Sequence, residues 1–380
     1  MDLNVRIGID GIPLAEPKTG VGHYTFEIAV ELARQSPSDS FEILSHLPFY
    51  DLSPAPANLS FIKQPVNQAT RHWWTIGLPL YIKRAQLDLF HGTNYDVPVW
   101  GGCPTVLTIH DLSQLLLPAT HEKRRVSRAR RRLPVMSRRA TMIITPTEAV
   151  KSEVCEHLRV PPSKVVVVNE APRRVFQPLP PKQASATVRR LGLNDEFVLY
   201  VGTIEPRKNI ITLIKAFEEV LHSTPLRPQL VIAGKKGWLT DELFAYIDSA
   251  KLGDRLRLTG YLGDDELRAL YSACRVMVYP ALYEGAGLPA LEAMACGAPV
   301  ITTNTPAIAE MVGDNARLFS PADSRALAEH LVELLTTPAL RESLSRAGIT
   351  HAARFTWERA ARETLAVYRQ VTGNIAPAAL

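Results

Sequence analysis

Two carboxylates, Glu284 and Glu292, bracket the segment Gly285-Ala286-Gly287-Leu288-Pro289-Ala290-Leu291. The glycines make a turn, and Pro289 suits the start of a helix because its missing N–H has no intrahelical partner there anyway. Such a turn presents backbone N–H groups at the positive end of the new helix, which suits a diphosphate. Glu284 stands at the mouth of the turn and Glu292 about one turn into the helix. Two carboxylates so placed can accept hydrogen bonds from hydroxyls on both sides of the anion, a sugar on one side and a ribose on the other.

A second group complements the first. Gly202-Thr203-Ile204-Glu205-Pro206-Arg207-Lys208-Asn209 follows the apolar run Phe197–Val201 and opens a helix with Leu213, Ile214, Phe217 and Leu221 on its apolar face. The helix macrodipole disfavours cations at a helix start. Arg207 and Lys208 at that place therefore point to neutralisation of a departing diphosphate, beside the plainer reading of two solvated cations. Near the N-terminus, Lys18-Thr19-Gly20-Val21-Gly22-His23-Tyr24 makes a turn whose glycines let backbone approach a ligand closely. It lacks the G-x-G-x-x-G spacing of a dinucleotide fingerprint. His110-Asp111 ends the strand Val106–Ile109; a lone histidine is more often structural, but the C-terminal end of a strand favours a functional one, whereas His91 reads as a packing residue. Asp10 and Asp111 are the available general bases, and nothing assigns the role to either.

These residues need strands that end just before them. Val5–Gly11, Thr105–Ile109, Met142–Ile144 and Val165–Val168 are apolar, β-branched runs separated by helical patterns. After the Pro-rich stretch Arg173–Pro181, read as a linker, the alternation restarts with Phe197–Gly202, Gln229–Gly234, Arg275–Tyr279 and Pro299–Thr302. Continuous apolar strands alternating with helices predict parallel sheets covered on both faces, with ligands outside the C-terminal strand ends.

With its Gly-x-Gly-Leu-Pro core, the Glu284/Glu292 pair resembles the E-x7-E signature of glycosyltransferase family 4, a retaining family of GT-B architecture. The likeness spans nearly the whole chain, most strongly Phe197 to Phe319. Ile9–Gly11, the Thr19–Tyr24 loop, Thr108–Asp111 and Glu205–Asn209 resemble the subgroup of bacterial mannosyl- and rhamnosyltransferases of surface-polysaccharide assembly. The resemblance implies an α/β protein of two Rossmann-like, doubly wound parallel-sheet domains facing across a cleft. An acceptor domain covers residues 1–175 and a nucleotide-sugar domain 176–356. A C-terminal helix, 357–380, crosses back onto the first. Glu284 is then expected on the donor sugar, Glu292 on the ribose, and Arg207 with Lys208 on the leaving diphosphate. His110 is expected beside the transferring sugar, acting through its ring or its backbone carbonyl. Gly20, Gly22, Gly202, Thr203, Gly285, Ala286, Gly287 and Leu288 complete the donor site. Ala286 stands where the family often has Phe, and Thr203 where it often has Arg, for which Arg207 is the substitute at hand.

The activity so implied is retaining transfer of a hexose or deoxyhexose to a glycan or polyprenyl-diphosphate-linked acceptor. The subgroup tilts the donor toward GDP-mannose without excluding UDP-sugars. No D-x-D motif is present, so no metal and no cofactor are expected. A non-catalytic nucleotide-sugar or glycan-binding protein and a Rossmann-type oxidoreductase are the alternatives.

The 380 residues exceed one ordinary core, with 46% hydrophobic and 21% charged residues describing a soluble globular protein. Four scattered cysteines, Cys103, Cys155, Cys274 and Cys296, favour a reducing compartment over a zinc site. Neither a signal peptide at Met1–Arg6 nor an apolar run of roughly 20 residues is present, so a cytoplasmic protein is expected. The net charge of +5 conceals a basic run between His121 and Arg139 with Glu122 as its one acid. Upstream, Arg71–Arg84 mixes tryptophans, aliphatics and cations. Two readings stay open: a solvated face over buried tryptophans, or attachment to the inner face of an anionic membrane. No nucleic-acid module accompanies the basic run.

Overall fold

The computed structural model describes residues 5–50, 54–65, 67–68 and 71–373, so Met1–Asn4, part of the leader reading, lie outside the described residues. The chain forms two compact units. One gathers the chain up to Leu112, Ser127–Glu170 and the C-terminal part from Thr356; the other holds Ser113–Val126 and Ala171–Phe355.

The first unit is built on β1 (Arg6–Asp10), β2 (Ser40–Ser45), β3 (Leu59–Lys63), β4 (Leu89–Gly92), β5 (Thr105–Thr108), β6 (Met142–Thr145) and β7 (Val165–Val167). Their order is β3-β2-β1-β4-β5-β6-β7, every pair parallel. Central strands such as β4 and β5 are buried at every residue, as expected of strands covered on both faces. Helix α1 (Gly20–Gln35) follows β1. The predicted turn at Gly20–Gly22 is its first turn. A side chain at Gly22 would meet the Pro13 carbonyl oxygen at 2.9 Å, so that glycine lets the helix lie close on the segment before it. Gly20 has nothing within 4 Å of where a Cβ would stand.

The C-terminal helix Trp357–Thr372 belongs to this unit and packs on α1. Its start is capped by Thr356, whose hydroxyl accepts from the Arg359 N–H at 3.1 Å. Trp357, Ala360, Ala361, Thr364, Leu365, Val367 and Tyr368 form its buried stripe. Tyr368 also ties it to the sheet: its hydroxyl meets His91 Nδ1 at 2.6 Å, and His91 Nε2 meets the Thr108 hydroxyl at 2.8 Å.

The second unit carries β8 (Phe197–Val201), β9 (Gln229–Ala233), β10 (Leu256–Gly260), β11 (Val276–Tyr279), β12 (Val300–Thr303) and β13 (Arg317–Phe319). They run β10-β9-β8-β11-β12-β13, again all parallel. The strand order reverses between β8 and β11, the place where open α/β sheets bind ligands. Helix α2 (Ile210–Ser223) follows β8 and buries Ile210, Leu213, Ile214, Phe217 and Val220. Each such side chain contributes about 1.5–3 kcal/mol of burial. Helix α3 (Asp264–Ala273) has the acidic first turn read from its sequence, and α4 (Leu288–Ala295) follows β11. Ser113–Val126 joins this unit through Trp238, whose indole N–H donates to the Thr120 carbonyl at 2.9 Å and whose ring stacks on His121. Nothing in the sequence pattern marked that excursion.

Candidate active site

The turns after β8 and β11 meet at the strand-order reversal of the second unit. The turn after β8 is pinned by Asn209, held in the left-handed region at φ 56°. Its amide donates to the carbonyls of Pro280 at 3.1 Å and Pro321 at 2.9 Å. The Leu282 N–H donates to the Arg207 carbonyl at 2.8 Å, closing the second turn onto the first.

This stitching places three side chains together. Arg207 Nη1 donates to Glu284 Oε1 at 2.6 Å, and Lys208 Nζ donates to the same oxygen at 2.5 Å. Arg207 Nη2 also reaches Glu205 at 2.7 Å, and Lys208 reaches the Tyr279 hydroxyl at 2.7 Å. The four charged side chains expose 12% or less of their surface. Two acids thus balance two cations in a nearly dry place. Burial lowers the Lys208 pKa against the pull of Glu284, and burial raises that of Glu205 against Arg207 and Lys208.

Beyond Glu284, Gly287 caps α4 at φ +66°, a conformation open to glycine at little cost. It begins α4 directly after the turn, with the Ala290 N–H donating back to the Gly287 carbonyl at 3.0 Å. Ala286 is buried, and Leu288 begins the helix. Glu292 lies on α4, buried and bonded to Arg173, whose Nε donates to Glu292 Oε1 at 3.0 Å. Gly202 and Thr203 occupy the turn after β8, where the Thr203 carbonyl accepts from Tyr200 at 3.3 Å.

In the first unit His110 follows β5. Nδ1 lies 2.7 Å from Glu170 Oε1 and Nε2 lies 2.8 Å from the Thr93 carbonyl oxygen. Both ring nitrogens are thus engaged by oxygens, one of a carboxylate and one of a backbone carbonyl. Burial alone would lower its pKa; Glu170 and the Thr93 carbonyl outweigh burial and raise it. His91 is fully buried, and burial pushes its pKa down to about 3, so it is a neutral packing residue. Asp10 is buried, which lifts its pKa to about 8, and its Oδ1 accepts from the Ile12 N–H at 3.0 Å.

The amino-terminal half of the chain, residues 19–170, matches the family model "Glycosyltransferase Family 4", and residues 182–351 match "Glycosyl transferases group 1". An Escherichia coli protein named O-antigen chain mannosyltransferase B is 30% identical over 377 residues, 94% of this chain and 97% of that one. The chain belongs to glycosyltransferase family 4. Sucrose-phosphate synthase from Thermosynechococcus elongatus superposes with a TM-score of 0.78 at 20% identity, over 98% of this chain and 100% of that one. An Anabaena protein, Alr3699/HepE, solved with UDP and glucose, gives 0.73 at 17% identity, over 97% and 100%. These likenesses show the GT-B fold, and the chain is a glycosyltransferase.

Of the residues singled out in this family 4 enzyme's sequence, Arg207, Lys208 and Glu284 form one cluster, with Gly202, Thr203 and Gly285–Leu288 in the two turns around it. Glu292 sits in a second cluster, on α4. Gly20, Gly22 and His110 lie in the other unit. Glu205, Tyr279, Arg173 and Glu170 were not foreseen as site residues. Glu205 lies within the Arg207 motif and could have been found there; the other three carry no local signal.

Proposed function

We propose that this enzyme transfers a hexose, mannose from GDP-mannose in the first instance, with retention of configuration and without a metal ion. The acceptor is a glycan or a polyprenyl-diphosphate-linked oligosaccharide of surface-polysaccharide assembly. The carrying observation is one carboxylate, Glu284, held by two cations, Arg207 and Lys208, where the sheet order reverses. Arriving diphosphate takes those cations in exchange for Glu284, whose oxygens turn to the hydroxyls of the donor sugar. Arg207, Lys208 and the start of α4 then stabilise charge on the leaving phosphate as the C1–O bond to it breaks. The acceptor oxygen bonds C1 on the same face, and its proton passes to the leaving phosphate oxygen. No side-chain base is needed. The backbone carbonyl of His110 is the partner for developing positive charge on the sugar. The mannosyltransferase name of the E. coli relative supports the choice of sugar.

The same reading places the first unit on an anionic leaflet. No helix among the described residues is long and apolar enough to cross a membrane. Leu80, Trp100 and Val135 are exposed, 48%, 49% and 37% respectively. Trp100 donates to the Thr75 carbonyl at 2.8 Å, and Arg139 bonds the adjoining Val99 carbonyl, so these segments adjoin. Arg138 and Arg139 end the basic helix, and Lys83 and Arg84 end the helix that carries Leu80. Arg128 and Arg132 are instead spent on Asp96.

A thermal-shift series with GDP, UDP, ADP, their sugar conjugates, NAD and NADP tests the donor assignment. Stabilisation by GDP and GDP-mannose is expected; stabilisation by NAD or NADP alone would refute it.

A further inference from the structure

Arg173 lies in the stretch read from sequence as linker, three residues into the second unit's main segment. Its guanidinium is fixed on three sides. Nε donates to Glu292 Oε1 at 3.0 Å, Nη1 donates to Asp264 at the start of α3 at 2.5 Å, and the plane lies over the Phe176 ring at 4.5 Å. Phe176 is itself held edge-on by Tyr271 of α3. Little of either partner is exposed, 13% of the Arg173 side chain and 10% of that of Glu292. Glu292 otherwise sits in an apolar helix, between buried Leu291 and Ala293. A carboxylate there would swing or take up a proton without a fixed cation, and an arginine never releases its own proton.

We propose that Arg173 is a positioning residue of the donor site, fixing the Glu292 carboxylate in the orientation from which it receives ribose hydroxyls. This rests on the reading of Glu292 as the ribose ligand. Arg173 Nε engages the Oε1 oxygen of Glu292. The guanidinium's three fixed contacts set the direction in which the carboxylate faces. The site thereby prefers ribonucleotides to deoxyribonucleotides through a residue that touches neither. Asp264, 43% exposed, holds another part of the guanidinium from α3.

The test is calorimetric. GDP and UDP, each beside its 2′-deoxy and 3′-deoxy forms, are titrated into wild type, Arg173→Ala, Glu292→Ala and the double variant, with inorganic pyrophosphate as control. Wild type should favour a ribonucleotide over its deoxy forms by about tenfold or more, the worth of a hydrogen bond to a charged group. Arg173→Ala and Glu292→Ala should each remove most of that preference, and the double variant should remove no more than Glu292→Ala alone. Pyrophosphate binding should be unchanged in Arg173→Ala, because Arg207 and Lys208 are untouched. If Glu292→Ala keeps the preference, the ribose reading itself fails. If Glu292→Ala loses it and Arg173→Ala retains it, the positioning role is overturned while the ribose reading stands. Parallel loss of pyrophosphate binding in Arg173→Ala would make the residue a general brace and likewise overturn the role. Should Arg173→Ala not fold, Arg173→Gln, which keeps the bulk and loses the charge, takes its place with the same outcomes.

Discussion

Replacing Glu284 by Gln separates two roles that simple loss of activity would merge. In wild type the Glu284 carboxylate accepts from Arg207 at 2.6 Å and Lys208 at 2.5 Å, so it both holds and neutralises the cations that a diphosphate needs. Glutamine keeps the shape and one acceptor oxygen but removes the charge. Hydrogen bonds to charged groups are worth about 1.5–3 kcal/mol each, so the folded state should lose a few kcal/mol at most. An incoming phosphate charge about 6 Å from the carboxylate would be repelled by about 3 kcal/mol at an effective dielectric constant near 20. Relief of even a third of that repulsion tightens binding about fivefold. Glu284→Gln should therefore bind pyrophosphate and nucleoside diphosphate as well as wild type or better, while sugar transfer falls about a hundredfold. Calorimetry of both ligands beside a transfer assay gives the answer. If diphosphate affinity falls by the same factor as transfer, Glu284 is not a sugar ligand competing for the cations, and the exchange mechanism is wrong.

Transfer should be unchanged by EDTA, because Arg207 and Lys208 carry the leaving-group charge; activity lost to EDTA and restored by Mg²⁺ or Mn²⁺ would contradict this. His91, with a pKa of about 3 in place of 6.5, should destabilise the fold as pH falls, because the unfolded chain takes up its proton first. Its contribution is full above about pH 6.5 and is lost toward pH 3 by up to about 1.4 kcal/mol per pH unit. Asp10, raised to about 8, has the opposite sign over much of that range, so the reading is the difference between wild type and His91→Asn in denaturant titrations across pH. A His91→Asn variant with an unaltered pH slope would refute it. Vesicles containing anionic lipid should retain the protein at low salt and release it at high salt. Replacing Arg138 and Arg139 by Gln should weaken that retention, and equal retention on neutral vesicles would exclude an electrostatic attachment.

The sequence carried the parts of this fold that depend on local pattern. Apolar runs such as Phe197–Val201 could only be buried strands, and the turns after them could be named before any coordinates. Arg207, Lys208 and Glu284 were each legible from position relative to a strand end. That they share one oxygen was not, because it depends on β8 and β11 being neighbours although β9 and β10 intervene in the chain. Arg173 was read as linker because a buried arginine has no periodicity, and its partners lie 91 and 119 residues further on. Glu170 was hidden for the same reason. The passage of Ser113–Val126 into the second unit turns on Trp238, 118 residues from its partner Thr120, and no composition shift announces it. Edge strand β10 escaped because three of its five residues are exposed and its apolar signal is weak.

The central claim, that Arg207, Lys208 and Glu284 form the donor site of a working glycosyltransferase, is tested most directly by turnover. Wild type, Glu284→Ala and Lys208→Ala are incubated with GDP-mannose and with UDP-sugars, in the presence of an acceptor glycan, and released nucleoside diphosphate and product anomer are measured. The account predicts release from GDP-mannose with an α-linked product, and rates lower by about a hundredfold or more in each folded variant. Wild-type rates in either folded variant would contradict it.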